Sequence, residues 1–437
     1  MVSILTFSTL AVYVALIASM GLGIVTLGGV GGWNIRLWQL FLIIYLVLQL
    51  IRNGISKRVA IKLSVPIFLA IGYFIAIVLS GLNAIDHELW LKRVLLNALF
   101  LLLFITVSQG MQPTKSVLVI KTIIFSGVLF SILGILDLFF YNYNRQIFEI
   151  IHSFDSSNID GKAELSSYGM IFRSRGFANE ANEFSQYLII PFGFILAELA
   201  FNRRDKLTTS LYVLALSVVF LAQIASLSRG GLLGFLVQVV VIYFIKSKRT
   251  TIRKLSKNFI KAAILSILTG AALWFFVQTI FEENIFGIAW ERVMSTNTSG
   301  DWTTNERLTT IYAGLESGFG SIANLLVGFG AGNLDVSEVS EATTTNSFVD
   351  IFSETGVIGI TIFLLFVACL IIKSERFFTL NYTLLNNSSK TAFVGAYLSF
   401  IGLLIGGLTY STHTLFYFWL MAGLCTSLST SKLASAR

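Results

Sequence analysis

Long apolar runs alternate with short polar intervals along most of the chain. A helix needs about 17 to 25 apolar residues to cross the hydrocarbon core of a bilayer. Runs of that kind predict twelve spans, at residues 3–28, 35–51, 63–82, 91–108, 116–140, 184–201, 208–227, 231–245, 260–281, 350–372, 391–409 and 413–429. The pattern therefore predicts an all-α polytopic membrane protein with about 12 transmembrane helices and both chain ends on the same side.

The composition agrees with a membrane protein. Of 437 residues, 55% are hydrophobic and 12% charged, against about 25% charged in a soluble domain. The net charge of +8 does not indicate a nucleic-acid partner, because the basic residues flank apolar helices instead of covering one solvated face. Cys369 and Cys425 lie inside apolar runs, so no disulfide framework is expected. Residues 2–25 are too long for a signal-peptide core and predict a retained span.

The basic residues also predict the orientation. Lys and Arg are retained on the cytoplasmic side of membrane proteins. With a cytoplasmic N-terminus, 21 of the 31 basic residues are inside. The most informative interval is 246–257, which has six basic residues and no acid. We therefore expect both termini in the cytoplasm.

This topology divides the chain into five segments. Helices 1–5 occupy 1–141, an external loop 142–183, helices 6–9 residues 184–281, a larger external loop 282–349, and helices 10–12 residues 350–437. Between Glu282 and Asn346 the larger loop has nine acidic and two basic residues, a net charge of −7. The two basic residues, Arg292 and Arg307, stand out against that background.

Arginines on the external side are the sharpest candidates for a functional site. Arg173 and Arg175 lie in a segment that continues through Glu180 and Asn182 into a span, and Arg229 lies in the short turn that follows Ser228. A guanidinium at membrane depth is costly unless it is paired, so it marks a site or pathway. Its planar fork suits bidentate phosphate binding. Pairing with loop carboxylates or lipid headgroups is the alternative.

The end of the larger loop contains a second group of polar and glycine residues that are candidates for the site. Arg307 is followed by a stretch with helical spacing, and Gly328-Phe329-Gly330 forms a turn after an apolar run. Asn346 then opens a segment that contains Asp350 and Glu354. The glycines either let the backbone approach a substrate or only reverse the chain. Glu354 either takes part in catalysis or stabilises a helix N-terminus through the macrodipole.

Four of these pieces resemble the O-antigen polymerase and ligase superfamily, the Wzy and WaaL type. They are the Arg175-Gly176-Phe177 segment with Asn182, the Ser228–Gly230 turn, the Gly328–Gly330 turn, and the Asn346–Gly359 segment. They occur in the order that the family shows and cover about residues 160 to 370. The first five spans match only in hydropathy. The resemblance implies a GT-C-like fold with a large external loop between helices 9 and 10.

One departure separates the two branches of that superfamily. Ligases carry a His directly before the Asn that opens the final segment, whereas this chain has Thr345 before Asn346. A threonine cannot act as a base near neutral pH, which favours the polymerase. His87, His152 and His413 are interpreted as solvated or interfacial. A ligase that transfers polysaccharide to lipid A core and a solute transporter remain the alternatives.

The resemblance implies a glycosyltransferase of the bacterial cytoplasmic (inner) membrane. It would polymerise undecaprenyl-pyrophosphate-linked oligosaccharide repeat units into O-antigen, capsule or exopolysaccharide at the outer face. Arginines would stabilise the lipid diphosphate as it leaves, so neither a metal nor another cofactor is expected. The expected partners are membrane lipids, a chain-length regulator and a flippase. A nucleic-acid partner is not expected.

The site residues follow from this assignment. The predicted catalytic residues are Arg175, Arg229, Arg307, Glu180 and Glu354. The predicted substrate-binding residues are Arg173, Asn182, Ser228, Arg292, Gly328, Gly330, Asn346 and Asp350.

Overall fold

The computed structural model describes residues 2–22, 26–30, 33–55, 63–110, 116–143, 164–166, 169–171, 173–178, 180–202, 205–247, 302–334 and 346–430. The chain divides into two compact units, each built from separate parts of the sequence. Unit 1 takes 1–52, 114–295 and 386–403, and unit 2 takes 53–113, 296–385 and 404–437. Each unit therefore depends on contacts between residues that are far apart in the chain.

Helices make up most of the described part of the chain. In order they are α1 Val2–Ala18, α2 Leu37–Ile55, α3 Val65–Leu79, α4 His87–Gly110, α5 Ser116–Tyr143, α6 Ala181–Phe201, α7 Lys206–Ala225, α8 Arg229–Ser247, α9 Trp302–Phe319, α10 Ile322–Val327, α11 Ser347–Asn381, α12 Asn387–Gly406 and α13 Phe416–Thr430. Two short antiparallel hairpins are added: β1 Thr26–Val30 with β2 Trp33–Arg36, and β3 Glu164–Ser166 with β4 Gly169–Ile171.

The helices confirm a helical multi-pass membrane protein. Among the described residues, eight helices are long and apolar enough to cross a bilayer, and three shorter apolar helices lie at Thr9–Gly21, Leu37–Arg52 and Phe416–Ser429. Each corresponds to a predicted span. The predicted span 260–281 lies outside the described residues, so the count of twelve stays a prediction.

The first predicted span, 3–28, is wrong at its C-terminal end. The helix stops at Ala18, a 3₁₀ turn follows at Ser19–Gly21, and residues 26–30 form a strand. The reason lies in the glycines between Gly21 and Gly32. Each glycine in a helix interior costs about 1 kcal/mol relative to alanine, and hydropathy does not register that cost.

Unit 1 packs around α6, which is buried along nearly its whole length. Pro191 interrupts the hydrogen bonding of this helix from within, because proline has no N–H to donate. The buried amide of Gln238, on α8, donates to the carbonyls of Ile189 at 2.8 Å and Leu398 at 3.0 Å. One side chain thus links α6, α8 and α12 and satisfies backbone oxygens that lipid cannot.

Unit 2 has a core of aromatic rings. Trp419 of α13 stacks on Phe366 at 5.6 Å and on Tyr73 at 6.0 Å between ring centroids. Its indole N–H donates to the carbonyl of His413 at 2.9 Å. Buried indoles usually find such an acceptor. Helices α3, α4, α11 and α13 are held together by this core.

Within each unit, loops that the topology puts on one side of the membrane contact one another. In unit 2, Ala331 N–H donates to Ser80 Oγ at 3.1 Å, and Ser347 N–H donates to the carbonyl of Gly407 at 2.8 Å. In unit 1, Asn202 donates to Thr391 at 3.3 Å, between loops predicted to be cytoplasmic.

The orientation can be tested by cysteine labelling in unit 2. With Cys369 and Cys425 replaced by serine, we expect Leu82→Cys and Leu408→Cys to react with a membrane-impermeant maleimide in intact spheroplasts. Leu384→Cys should react only after permeabilisation. All three leucines are exposed, so differences in burial do not explain the result. Labelling of Leu384→Cys alone in intact spheroplasts would reverse the predicted orientation.

Candidate functional site

Unit 1 holds residues 173–175 in a fixed path between α5 and the turn that joins α7 to α8. Ser174 N–H donates to the carbonyl of Ala225 at 3.0 Å, and Ser174 Oγ donates to the carbonyl of Gly134 at 2.6 Å. Gly134 permits this approach, since a side chain there would run into Phe184 and Ser174. The segment is therefore anchored on both sides, and the two neighbouring arginines have defined positions.

Arg173 links the segment that contains Arg175 and Asn182 to the turn that precedes Arg229. Its side chain is only 7% exposed. Nε donates to the carbonyl of Ser226 at 3.0 Å, and Nη2 donates to Asn182 Oδ1 at 2.8 Å. Hydrogen bonds that involve a charged group contribute about 1.5 to 3 kcal/mol. The arginine segment, the first turn of α6 and the Ser226–Arg229 turn are thus brought together.

Arg175 lies deeper, with 2% of its side chain exposed. Its backbone N–H donates to Asp137 Oδ2 at 3.3 Å. Asp137 is itself buried on α5, and Glu183 is buried in the first turn of α6. The described part of unit 1 therefore puts carboxylates as well as arginines into this region.

The Ser226–Arg229 turn is narrow and internally bonded. Leu227 adopts a positive φ of 50°. Ser226 Oγ donates to the carbonyl of Gln223 at 2.7 Å, and Ser228 N–H donates to Ser226 Oγ at 3.4 Å. Arg229 is the first residue of α8, so it stands at the positive end of that helix dipole. We call Arg173, Arg175 and Arg229 the arginine cluster.

Three further site residues predicted in the two external loops are not part of the arginine cluster. Glu180 precedes α6 and is exposed, unlike the buried arginines. Arg307 lies on α9, which confirms the helical spacing predicted after Asn305. Arg292 lies outside the described residues.

Unit 2 contains the other predicted residues, arranged around residues 328–333, which we call the glycine loop. Gly328, Gly330 and Gly332 have positive φ values of 77°, 103° and 80°. Phe329 N–H donates to the carbonyl of Ser353 at 3.1 Å, and Asn83 Nδ2 donates to the carbonyl of Gly328 at 3.1 Å. The glycines therefore do reverse the chain, and they also bring its backbone against α11.

Glu354 is a buried carboxylate that this loop positions. Its Oε1 accepts from the backbone N–H of Gly332 at 2.9 Å. The residue is on the first part of α11, before Gly356, where a positive φ of 66° breaks the helix. Glu354 thus accepts a hydrogen bond from a neighbouring loop, in addition to its position near the start of a helix.

Asn346 and Asp350 lie at the start of the same helix. Asn346 Oδ1 accepts from Phe348 N–H at 2.9 Å and Val349 N–H at 3.3 Å, the pattern of a helix N-cap. Asp350 is buried and accepts a hydrogen bond from Ser411 Oγ. Asn346 therefore has a structural role in addition to any contact with substrate, whereas Asp350 faces the 411–413 turn.

The interpretation of His413 as solvated or interfacial is wrong. Its side chain is 4% exposed, and Nδ1 has no hydrogen-bond partner. Burial, and secondarily the positive charge of Arg93, lower the pKa of His413 to about 3. The imidazole is therefore neutral at physiological pH. The sequence suggested an interface because His413 stands at the end of an apolar run, but the turn folds back onto Phe363.

Comparison with protein-family models finds no family that matches this chain, and the curated proteins that were searched contain no match. The assignment to a reaction therefore depends on the residues themselves.

Several polar residues in these regions were missed by sequence reasoning. Asp137, Glu183, Tyr73 and Arg93 belong to none of the predicted site residues. Only Arg93 carried a usable signal, because it is one of the ten basic residues on the predicted external side. The others are identified by contacts between distant segments.

Gly328→Ala should destabilise the protein. A residue with a side chain is strained at this backbone conformation by about 1–3 kcal/mol, and a Cβ would meet the backbone carbonyl of Glu354. Thermal unfolding in detergent measures the loss. Gly320→Ala is the control, since Gly320 is exposed and has no positive φ. Equal melting temperatures for the two variants would contradict the described glycine loop.

The stability of the protein should fall as the pH is lowered from about 6.5. Below that pH the unfolded chain protonates His413, whereas the folded state, with a pKa of about 3, does not. The slope is at most about 1.4 kcal/mol per pH unit. Arg93 of α4 and Asp350 and Glu354 of α11 also face this region. The measurement therefore compares the pH dependence of the native protein with that of a variant that lacks the imidazole. His413→Gln should lose less stability than the native protein between pH 7 and pH 5.

Proposed function

We propose that this protein polymerises oligosaccharide repeat units carried on undecaprenyl pyrophosphate. The product would be O-antigen, capsule or exopolysaccharide, made at the outer face of a bacterial cytoplasmic membrane. One observation carries the proposal: Arg173 and Arg175 are buried beside the turn that ends at Arg229. Guanidinium groups are costly near a membrane and are retained there for a purpose.

The arginine cluster suits a lipid diphosphate. Arginine stays protonated at any physiological pH, and its planar fork binds two phosphate oxygens at once. The N-terminus of α8, at Arg229, adds the partial positive charge of a helix dipole. Groups that are held in place before the reaction stabilise a developing anion without reorganising. The hydrogen bonds of Arg173 to Ser226 and Asn182 provide such positioning.

The reaction itself is a substitution at an anomeric carbon. The bond from this carbon to the diphosphate oxygen breaks, and the electron pair leaves with the lipid diphosphate. A hydroxyl oxygen of the acceptor sugar forms the new bond, and its proton passes to a base. We assign the base to a carboxylate, and the candidate in the same unit as the arginine cluster is Glu180. Asp350 and Glu354 remain candidates predicted from the sequence.

The remaining predicted residues support this chemistry in different ways. Asn182 and Ser228 belong to the elements that hold Arg173 and Arg229. Gly328 and Gly330 shape the loop whose Gly332 N–H binds Glu354. Arg307, on α9, remains a proposed diphosphate contact from the larger loop. A ligase is the alternative, and Thr345 in place of a histidine speaks against it.

Arg175→Ala and Arg229→Ala should each shorten the polysaccharide ladder towards a single repeat unit. Removal of one group that stabilises a transition-state anion typically lowers the rate by about 10²–10³. The measurement is polymer length by gel in a deletion strain, with membrane levels followed by immunoblot. Arg175→Lys should restore part of the length, because it keeps the charge but not the fork.

Lys92→Ala is the matched control for these variants. Lys92 is on the same predicted side of the membrane, is half-buried, and pairs with Glu88 at 2.6 Å. We expect it to give a normal ladder. Normal ladders from Arg175→Ala and Arg229→Ala would remove the proposed function. A normal ladder that is no longer attached to lipid A core would instead select the ligase.

A further inference from the structure

A buried glutamine in unit 1 reaches the turn that ends at Arg229. Gln223 lies near the C-terminal end of α7 and is fully buried. Its amide Nε2 donates to Ser185 Oγ of α6 at 2.7 Å, to the carbonyl of Ser228 at 3.3 Å and to Ser226 Oγ at 3.5 Å. One amide thus contacts both α6 and the residues that precede Arg229. None of the sequence motifs contains Gln223.

The partners of this amide fix its orientation. A backbone carbonyl can only accept a hydrogen bond, so the amide atom that faces Ser228 is the nitrogen and not the oxygen. Gln223 Oε1 lies on the other side of the amide, and it has no hydrogen-bond partner among the described residues. A buried acceptor without a partner destabilises a protein. Stability alone therefore does not explain a glutamine at this position, whereas its contacts with the turn do.

The turn that Gln223 contacts has a strained backbone. Among the described residues, Leu227 is the one residue other than glycine with a positive φ. Such a conformation persists only where the surrounding structure imposes it. The amide of Gln223 contacts the residue on each side of Leu227, which are Ser226 and Ser228. Gln223 therefore lies where it can hold the turn in this conformation.

Gly231 allows the amide to lie against the turn. It belongs to the first turn of α8, two residues after Arg229. A Cβ at Gly231 would run into Ser185 Oγ and Gln223 Nε2. Because Gly231 has no side chain, α8 can pack against the hydrogen bond that joins α6 to α7. The second glycine after Arg229 thus has a steric role in the same arrangement.

The carbonyl that Gln223 contacts belongs to the peptide bond between Ser228 and Arg229. A peptide unit is planar, so the position of Ser228 O restricts the direction in which Arg229 leaves the turn. We propose that Gln223 is a positioning residue for Arg229, whose amide fixes the turn from which the guanidinium reaches the diphosphate. It acts through Arg229 and not through a contact with the substrate. This inference rests on the proposed function, because it concerns the position of Arg229 in that reaction.

Such positioning matters for a group that stabilises a leaving anion. The group is most effective when it is held in place before the charge develops. A displacement of about 1 Å, caused by a mutation away from the reacting atoms, can lower a rate by about 10²-fold. The Arg229 side chain is long, so its backbone has to be fixed before its guanidinium can be. Gln223 supplies that constraint from α7 and is itself anchored on α6 through Ser185.

The first measurement is hydrogen exchange at the backbone amides of residues 226–228 in the full-length protein in detergent. Gln223→Met keeps a long, unbranched side chain but removes the amide. We expect exchange to become about fivefold to tenfold faster, because a side-chain hydrogen bond to the turn is lost. Ser185→Ala removes only the hydroxyl that anchors the amide, and it should give a smaller increase. Native exchange in both variants would overturn the inference.

The second measurement is the rate at which the purified protein joins lipid-linked repeat units extracted from the deletion strain. Gln223→Met should lower this rate by about tenfold to a hundredfold at an unchanged melting temperature. In an Arg229→Ala background the same substitution should have no further effect, since it acts through Arg229. An equal loss in both backgrounds would overturn the inference. So would a native rate for Gln223→Met, or a rate that falls only together with the melting temperature.

Gln49→Met is the matched control. Gln49 is another buried glutamine of unit 1, and its amide donates to Tyr45 Oη at 3.1 Å within α2. The same chemical change at this position should leave both the rate and the exchange of residues 226–228 at their native values.

The outcomes also separate this inference from the proposed function. If Arg229→Ala lowers the rate while Gln223→Met does not, only the inference fails. If Arg229→Ala makes normal polymer, the polymerase proposal fails. Faster exchange in Gln223→Met would then still show that Gln223 holds the turn.

Discussion

The structure depends on one constraint, which is that a polar group buried among apolar helices must find its partner inside the protein. Gln238 meets it by donating to two backbone carbonyls on different helices. Arg173 meets it with a carbonyl and an amide oxygen from two separate segments. In both cases one side chain fixes the relative positions of elements that apolar packing alone leaves free to slide. These polar residues therefore determine how the elements of unit 1 lie against one another.

The sequence predicted the helices well because the thickness of a bilayer imposes a length that hydropathy detects. It failed at residues 21–32, where the run is apolar but rich in glycine, and a hairpin replaces the end of the first span. The turn at Gly328–Gly332 was predicted from the same residue type. Glycine was thus informative where it followed a helix and misleading where it lay inside an apolar run.

The candidate site was predicted only where its residues are close in sequence or form a motif. Arg173, Asn182 and Arg229 come from motifs, and their elements do meet. Asp137, Tyr73 and His413 could not be predicted, because each acquires its surroundings from segments far away in the chain. The bond between Ala331 and Ser80, for example, joins residues 251 positions apart. Periodicity describes one element at a time and contains no information about such pairs.

Glycosyl transfer from a lipid diphosphate needs a cation that stays charged and a carboxylate that stays available to accept a proton. Placed within contact distance of each other, the two would form an ion pair, which lowers the pKa of the carboxylate and weakens it as a base. In unit 2 Arg93 lies near enough to influence Tyr73 and His413, yet among the described residues it forms no ion pair with a carboxylate. The glycine loop contacts both groups, because Gly332 N–H donates to Glu354 Oε1 and the side chain of Arg93 runs beside the same glycine. The backbone of one loop therefore positions the Glu354 carboxylate through a hydrogen bond to the chain, and not through an ion pair with Arg93.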